Sequence, residues 1–168
     1  MQLKELDGLD LSNITKRDIE DLINKKNNSN FDIVISTDGA SRGNPGLACG
    51  TFAIWENGNL EYSKVTRHDN MTNNLSEMTT ILEALTYLST SKYNKDNLNV
   101  RFINDSELCI FQITGKYKVK NYDLFNVWND INLILNKLKC NITFNAVPRK
   151  TKEVAFCDMQ NNVFLDNL

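Results

Sequence analysis

The sequence predicts an α/β fold: a mixed sheet of five strands flanked by helices. Three strand-like runs come early, Phe31 to Thr37, Thr51 to Glu56 and Leu60 to Thr66, and Asn57-Gly58-Asn59 between the last two is a hairpin signal. After them, helical-period segments alternate with single strand-like runs, the pattern that lays parallel strands side by side. With 168 residues, 41% of them hydrophobic, the chain supports one domain with a real core and leaves little room for a second.

In chain order, residues 1–30 read as an appendage and residues 31–168 as the main domain. Within the appendage, Thr15 can cap a helix, Asp18 stands at its third position, and Ile14 and Ile19 are spaced for a hydrophobic staple. Ile19, Leu22 and Ile23 form one short apolar stripe, a surface for the core or for a protein partner, and Lys25 to Asn30 ends the helix. Beyond the hairpin, Leu75 to Ser89 is helical through Met78, Ile81, Leu82, Leu85 and Leu88. Leu98 to Ile103 is the fourth strand. A short helix runs from Ser106 to Ile113 and stops at Gly115, and Tyr122 to Lys137 repeats apolar residues every three or four positions. The spacing of Tyr117, Phe125 and Trp128 into this helix reads as core packing. Ile142 to Val147 is the fifth strand, Pro148 stops it, and Lys152 to Leu165 is a weaker helix.

Composition narrows the function classes. No run approaches the ~20 apolar residues of a membrane span, and MQLKELDGLD carries acids where a signal peptide would be basic and then apolar. The expectation is a monomer without a membrane, cytoplasmic, or in host cytoplasm if phage-encoded. Cys49, Cys109, Cys140 and Cys157 are scattered without a CxxC pair, which suggests buried thiols and neither zinc nor a disulfide framework. The net charge of -2 conceals an asymmetry: residues 116–152 hold eight basic residues against Asp123 and Asp130. Such a region can face phosphates while acids elsewhere hold metal, or it can simply solvate the surface.

Three acids are singled out by position. Asp38 follows the first strand and Asp105 the fourth; a helical crossover makes those strands neighbours, so both acids fall at one end of the sheet, where ligands bind in such folds. Glu77 lies in the first turn of a helix, on or beside its core-facing stripe, where an unpaired carboxylate is costly. Acids at such places can be caps or solvent-facing groups. They can equally share a cation, and a cluster without Cys or His is a hard oxygen site suited to magnesium or manganese. Two such ions ~3.5–4 Å apart, bridged by one carboxylate, can activate water and stabilise a leaving oxygen at a phosphodiester. Asp38 is the candidate bridge, with Glu77 and Asp105 on either side.

The motifs then resemble a known family. T37-D38-G39-A40-S41-R42-G43-N44-P45-G46 is similar to the first motif of type 1 ribonuclease H, T72-N73-N74-L75-S76-E77 to the second, and N104-D105-S106 to the third. G115 to N121 and V147-P148-R149 resemble the compact members that lack a long basic protrusion. The resemblance implies a ribonuclease H-like sheet and endonucleolytic hydrolysis of the RNA strand of an RNA/DNA hybrid, with two Mg2+ per site or Mn2+ in their place. It assigns metal and catalysis to Asp38, Glu77, Asp105 and a fourth acid. Ungapped matching puts Phe156 at that fourth position; a shift of two residues makes Cys157-Asp158 stand for the family's Ala-Asp, so Asp158 is favoured and Glu153 is its rival. The family's histidine before the last helix is absent, and His68, read as a loop residue, does not replace it. Gly39, Asn44, Asn73 and Asn74 are then expected against bases or ribose 2'-hydroxyls, Thr72, Lys118, Lys120 and Asn121 against phosphates of the DNA strand, and Ser106 beside the substrate through the third motif. The alternatives are a catalytically weakened hybrid-binding domain and another nuclease or transposase on the same fold.

Overall fold

The computed structural model describes residues 13–168, so the expectations resting on MQLKELDGLD and on the start of the appendage lie outside the described residues. The elements are α1 (Lys16–Asn28), β1 (Ile33–Gly43), β2 (Gly46–Glu56), β3 (Asn59–Met71), α2 (Asn73–Thr90), β4 (Asn99–Asn104), α3 (Glu107–Ile113), α4 (Tyr122–Leu135), β5 (Asn141–Ala146) and α5 (Lys152–Asp166). The sheet order is β3-β2-β1-β4-β5. Pairing is antiparallel from β3 to β1 and parallel from β1 through β4 to β5. Five strands flanked by helices is the architecture expected from the sequence.

Alternation along the strands divides the core. Ile33, Ile35, Phe52, Ile54, Val100 and Phe102 face Met78, Ile81, Leu85 and Leu88 of α2 and Ile131 of α4. Val34, Ala53, Trp55 and Ile103 point to the opposite face and meet Val154 and Cys157 of α5. All four cysteines are free and buried, as expected of scattered thiols. Among the described residues, no helix is long and apolar enough to cross a membrane.

The boundaries depart from the sequence reading where it matters most. β1 does not stop at Thr37; it continues to Gly43, paired to β2 through Asp38↔Thr51 and Gly39↔Gly50. The chain reverses only at residues 43–46, where Gly43 has φ of 106°. Gly, Ala and Ser in this stretch carry no apolar alternation, yet their backbone still makes the ladder. What ends near Asp38 is the parallel pairing with β4, whose last partners are Ser36↔Ile103. Asp38 thus lies where β1 leaves β4, not at a strand terminus. The Asn57-Gly58 turn is as expected, with both residues at positive φ.

Two side-chain expectations are corrected. Tyr117 and Phe125 are not core residues but are 52% and 45% exposed. The stripe of α4 that packs inward runs through Leu124, Val127, Ile131 and Leu135. Phe125 and Trp128 are each one residue further round, on the helix flank. His68 is not a loop residue, because β3 runs on to Met71; it is buried, with Nδ1 3.0 Å from Ser76 Oγ and Nε2 2.8 Å from Glu83 Oε1.

Helix α1 has the expected capping box between Thr15 and Asp18. Its stripe of Ile19, Leu22 and Ile23 stays exposed, and the helix docks instead through amides. Asn24 and Asn28 accept from the buried Arg101 guanidinium at 3.0 and 2.7 Å and donate to the two oxygens of buried Glu153 at 3.0 Å each.

Candidate active site

Three elements deliver three carboxylates to one place. β1 supplies Asp38 just past its parallel ladder, β4 ends at Asn104 and hands over to Asp105, and α2, which begins at Asn73 and not at Leu75, carries Glu77 in its second turn and not its first. One oxygen from each lies within 4.8 Å of the others. α2 comes so close because Gly39 has no side chain: a Cβ there would stand 2.5 Å from the Glu77 nitrogen and 2.7 Å from its Cα. Thr72 caps the helix by accepting from the Leu75 amide at 3.2 Å, and on the far side Ser76 donates to the Cys49 carbonyl of β2 at 3.0 Å.

Two buried amides orient the carboxylates. Asn104 Nδ2 donates to Glu77 Oε1 at 2.6 Å and to the Thr37 carbonyl at 3.0 Å, while its Oδ1 accepts from the Ser106 amide at 2.7 Å. Asn161, on α5, donates to Asp38 Oδ2 at 3.1 Å and to the Asp38 carbonyl at 3.0 Å. Neither asparagine was singled out from sequence. Asn104 is the first residue of the third motif but was given no role, and Asn161 carried no signal, since it falls in a weakly periodic helix of a chain rich in asparagine.

The electrostatics follow from crowding acids in a partly dry place. Burial, then the charges of Asp105 and Asp158, push Asp38 up to about 8. Burial and then Asp38 raise Glu77 well above the ordinary carboxylate range, and burial raises Asp105. Amide donors oppose the rise at Asp38 and Glu77 without cancelling it. Among the described residues, the positive charge of Arg149 opposes the rise at Asp38 and Asp105 without cancelling it. An all-oxygen donor set of mutually repelling carboxylates fits a divalent cation of the magnesium or manganese kind.

The fourth acid stands apart. Asp158 is in the second turn of α5, not at the helix start, and it is outside the three-acid cluster. It is still close enough for its charge to raise both Asp38 and Asp105. Arg149 Nη2 donates to Asp158 Oδ1 at 3.3 Å, pairing it at the rim of the site. The rival, Glu153, has both oxygens turned to α1 by Asn24 and Asn28.

The remaining sequence-selected residues fall into two groups. Gly39, Asn44, Thr72, Asn73 and Asn74 surround the start of α2; Asn44 Oδ1 accepts from the Asn73 amide at 3.1 Å, and the Asn73 and Asn74 side chains are exposed. Ser106 caps α3 beside Asp105 by accepting from the Cys109 amide at 3.2 Å. Lys118, Lys120 and Asn121 belong to the connection between α3 and α4, a separate element from the acids, where the lysines are exposed and Asn121 caps α4. Aromatic residues line the same connection: Phe111 and Tyr117 meet edge to face at 5.2 Å, and Lys116 Nζ lies 4.7 Å from the Phe111 ring centre.

No protein-family model matches the chain, and no curated protein matches it. Solved structures do. LC11-RNase H1, isolated from compost by a metagenomic approach and solved in complex with an RNA/DNA hybrid, is 31% identical, with a TM-score of 0.73 over 80% of this chain and 97% of that one. The N-terminal RNase H domain of rv2228c from Mycobacterium tuberculosis is 25% identical, with a TM-score of 0.70 over 80% of this chain and 94% of that one. RNase H1 from the halophilic archaeon Halobacterium salinarum NRC-1, at 24% identity and a TM-score of 0.72 over 81% and 98%, shares the fold. With 31% identity across nearly all of one such enzyme and the same five-stranded architecture, this chain belongs to the ribonuclease H-like family.

Proposed function

We propose that the protein is an endonuclease that hydrolyses the RNA strand of RNA/DNA hybrids, with residues 31–168 as its catalytic domain, in the compact form without a basic protrusion. The observation that carries this reading is the convergence of Asp38, Glu77 and Asp105 within 4.8 Å, all three with raised pKa values. Asp38, Glu77 and Asp105, with Asp158 at the rim, would hold two Mg2+, or Mn2+. Bound there, such ions supply an activated water and stabilise the leaving oxygen. The chain's own part is to hold the carboxylates in place through Asn104, Asn161 and the Gly39 contact. Exposed Asn73 and Asn74 stand ready for 2'-hydroxyls and base edges beside Asn44. Lys118, Lys120 and Asn121, with the exposed Tyr117 ring, form a surface suited to a strand's phosphates and bases. Likeness to an RNase H1 solved on an RNA/DNA hybrid supports the choice of substrate.

A binding module with weakened catalysis is the second reading, favoured by the pairing of Asp158 to Arg149 outside the three-acid cluster. One panel separates the two: labelled RNA/DNA hybrid, DNA duplex and single-stranded RNA, each with Mg2+ and with Mn2+. The expected outcome is cleavage of the RNA strand of the hybrid alone, and about 10- to 100-fold slower turnover by Asp158→Asn at unchanged hybrid affinity. Binding of hybrid without cleavage under either metal supports the module, and preferential cutting of DNA duplex refutes the substrate class.

A further inference from the structure

Asn161 is fully buried on α5, at the point where that helix crosses β1 and β2. All of its side-chain atoms are committed. Nδ2 reaches the Asp38 carbonyl at 3.0 Å and Asp38 Oδ2 at 3.1 Å, while Oδ1 accepts from the Thr51 hydroxyl at 2.7 Å and from the Cys49 thiol at 3.4 Å. This pattern fixes the amide orientation. The Asp38 carbonyl can only accept, so a flipped amide would set oxygen against oxygen there and forfeit that bond. Thr51 is the β2 residue paired with Asp38. Asn161 therefore joins two strands and a helix at one of the three clustered carboxylates.

We infer that Asn161 is a positioning residue for metal binding: it fixes the Asp38 carboxylate in one rotamer before a cation arrives, with Thr51 in turn fixing Asn161. The inference rests on the proposed metal-dependent reading of the site. A donor placed on a ligating carboxylate acts through the ligand's orientation, and loss of such a partner commonly lowers metal affinity or activity about 10- to 100-fold. A buried asparagine that merely glued α5 to the sheet would affect folding stability and leave metal affinity alone.

The test compares the full-length wild type with Asn161→Ala and Thr51→Val, the latter nearly isosteric and removed from direct contact with the carboxylate in the hydrogen-bond pattern. Mn2+ affinity is measured by calorimetry, thermal stability in EDTA by circular dichroism, and kcat and KM on an RNA/DNA hybrid separately. Expected are at least tenfold weaker Mn2+ binding by Asn161→Ala, a smaller weakening by Thr51→Val, and a fall in kcat with hybrid KM within twofold. Wild-type Mn2+ affinity in a folded Asn161→Ala protein overturns the inference. Should that variant not fold, Thr51→Val decides: unchanged Mn2+ affinity there overturns it equally, and weakened affinity supports it. A wild type that binds Mn2+ without cutting hybrid sinks the substrate reading while the affinity comparison still stands.

Discussion

Asp38 is held up to about 8 by burial first and by Asp105 and Asp158 second. An unfolded aspartate titrates near ~3.9, so between these values the folded protein binds more protons than the unfolded chain. The contribution of Asp38 to stability without metal is then fully present at low pH and is lost as pH rises through 8. The expected outcome is a Tm in EDTA that falls from pH 6 to pH 9, and a gain in Tm from Mg2+ that is larger at pH 9, because a cation favours the ionised form. Asp38→Asn should abolish turnover and raise the metal-free Tm at pH 9, equivalent to about 1–3 kcal/mol, since it removes a buried charge. Circular dichroism melts at the two pH values check both, and a metal-free Tm that rises with pH for the wild type contradicts the electrostatics. The three acids were legible in sequence because the apolar runs of β1, β4 and α2 place them near one end of the parallel ladder, although β1 itself runs on past Asp38. Asn104 and Asn161 were not, because an amide shows its role only through the partners that the fold brings to it.

The N-terminal part of α2 is held against three strands, β1, β2 and β3. Gly39 lets its first turn touch β1, and buried Ser76 ties the same turn to Cys49 of β2 and to His68 of β3. Gly39→Ala would place a methyl group 2.5 Å from backbone that has nowhere to go. A loss of about 2–3 kcal/mol is expected, as for overpacking against a rigid neighbour, together with weaker Mg2+ binding as Glu77 is displaced. Urea unfolding and calorimetry report the two separately; an unperturbed protein would mean that the contact is looser than described. The hairpin, the β1–β4 neighbourhood and the helices were visible in sequence through turn residues and apolar period. The extension of β1 to Gly43 and of β3 to Met71 was not, because Gly, Ser and charged residues make a backbone ladder without any apolar pattern. The inward helix flank was likewise misjudged at Phe125, where one residue of rotation separates core from solvent.

Across the whole molecule, chemistry and charge are divided among elements. The acids gather where β1 leaves β4, the basic and aromatic residues line the path from α3 into α4, and α1 docks through Asn24 and Asn28 on Arg101 and Glu153. That last contact explains why Glu153, a candidate from sequence, belongs to the architecture of the helix layer and not to the three-acid cluster. The net charge of -2 masks this division, whereas a hybrid laid along both regions would meet cations and carboxylates in turn. The most direct test is single-turnover cleavage of a hybrid carrying a 5'-labelled RNA strand, followed as Mg2+ is titrated, for the wild type and for Asp38→Asn. RNA cleavage by the wild type is expected to rise from nothing in EDTA to saturation with Mg2+, with no cleavage by Asp38→Asn although it still binds hybrid. Cleavage that persists in EDTA, or that survives intact in Asp38→Asn, would contradict the metal-dependent reading.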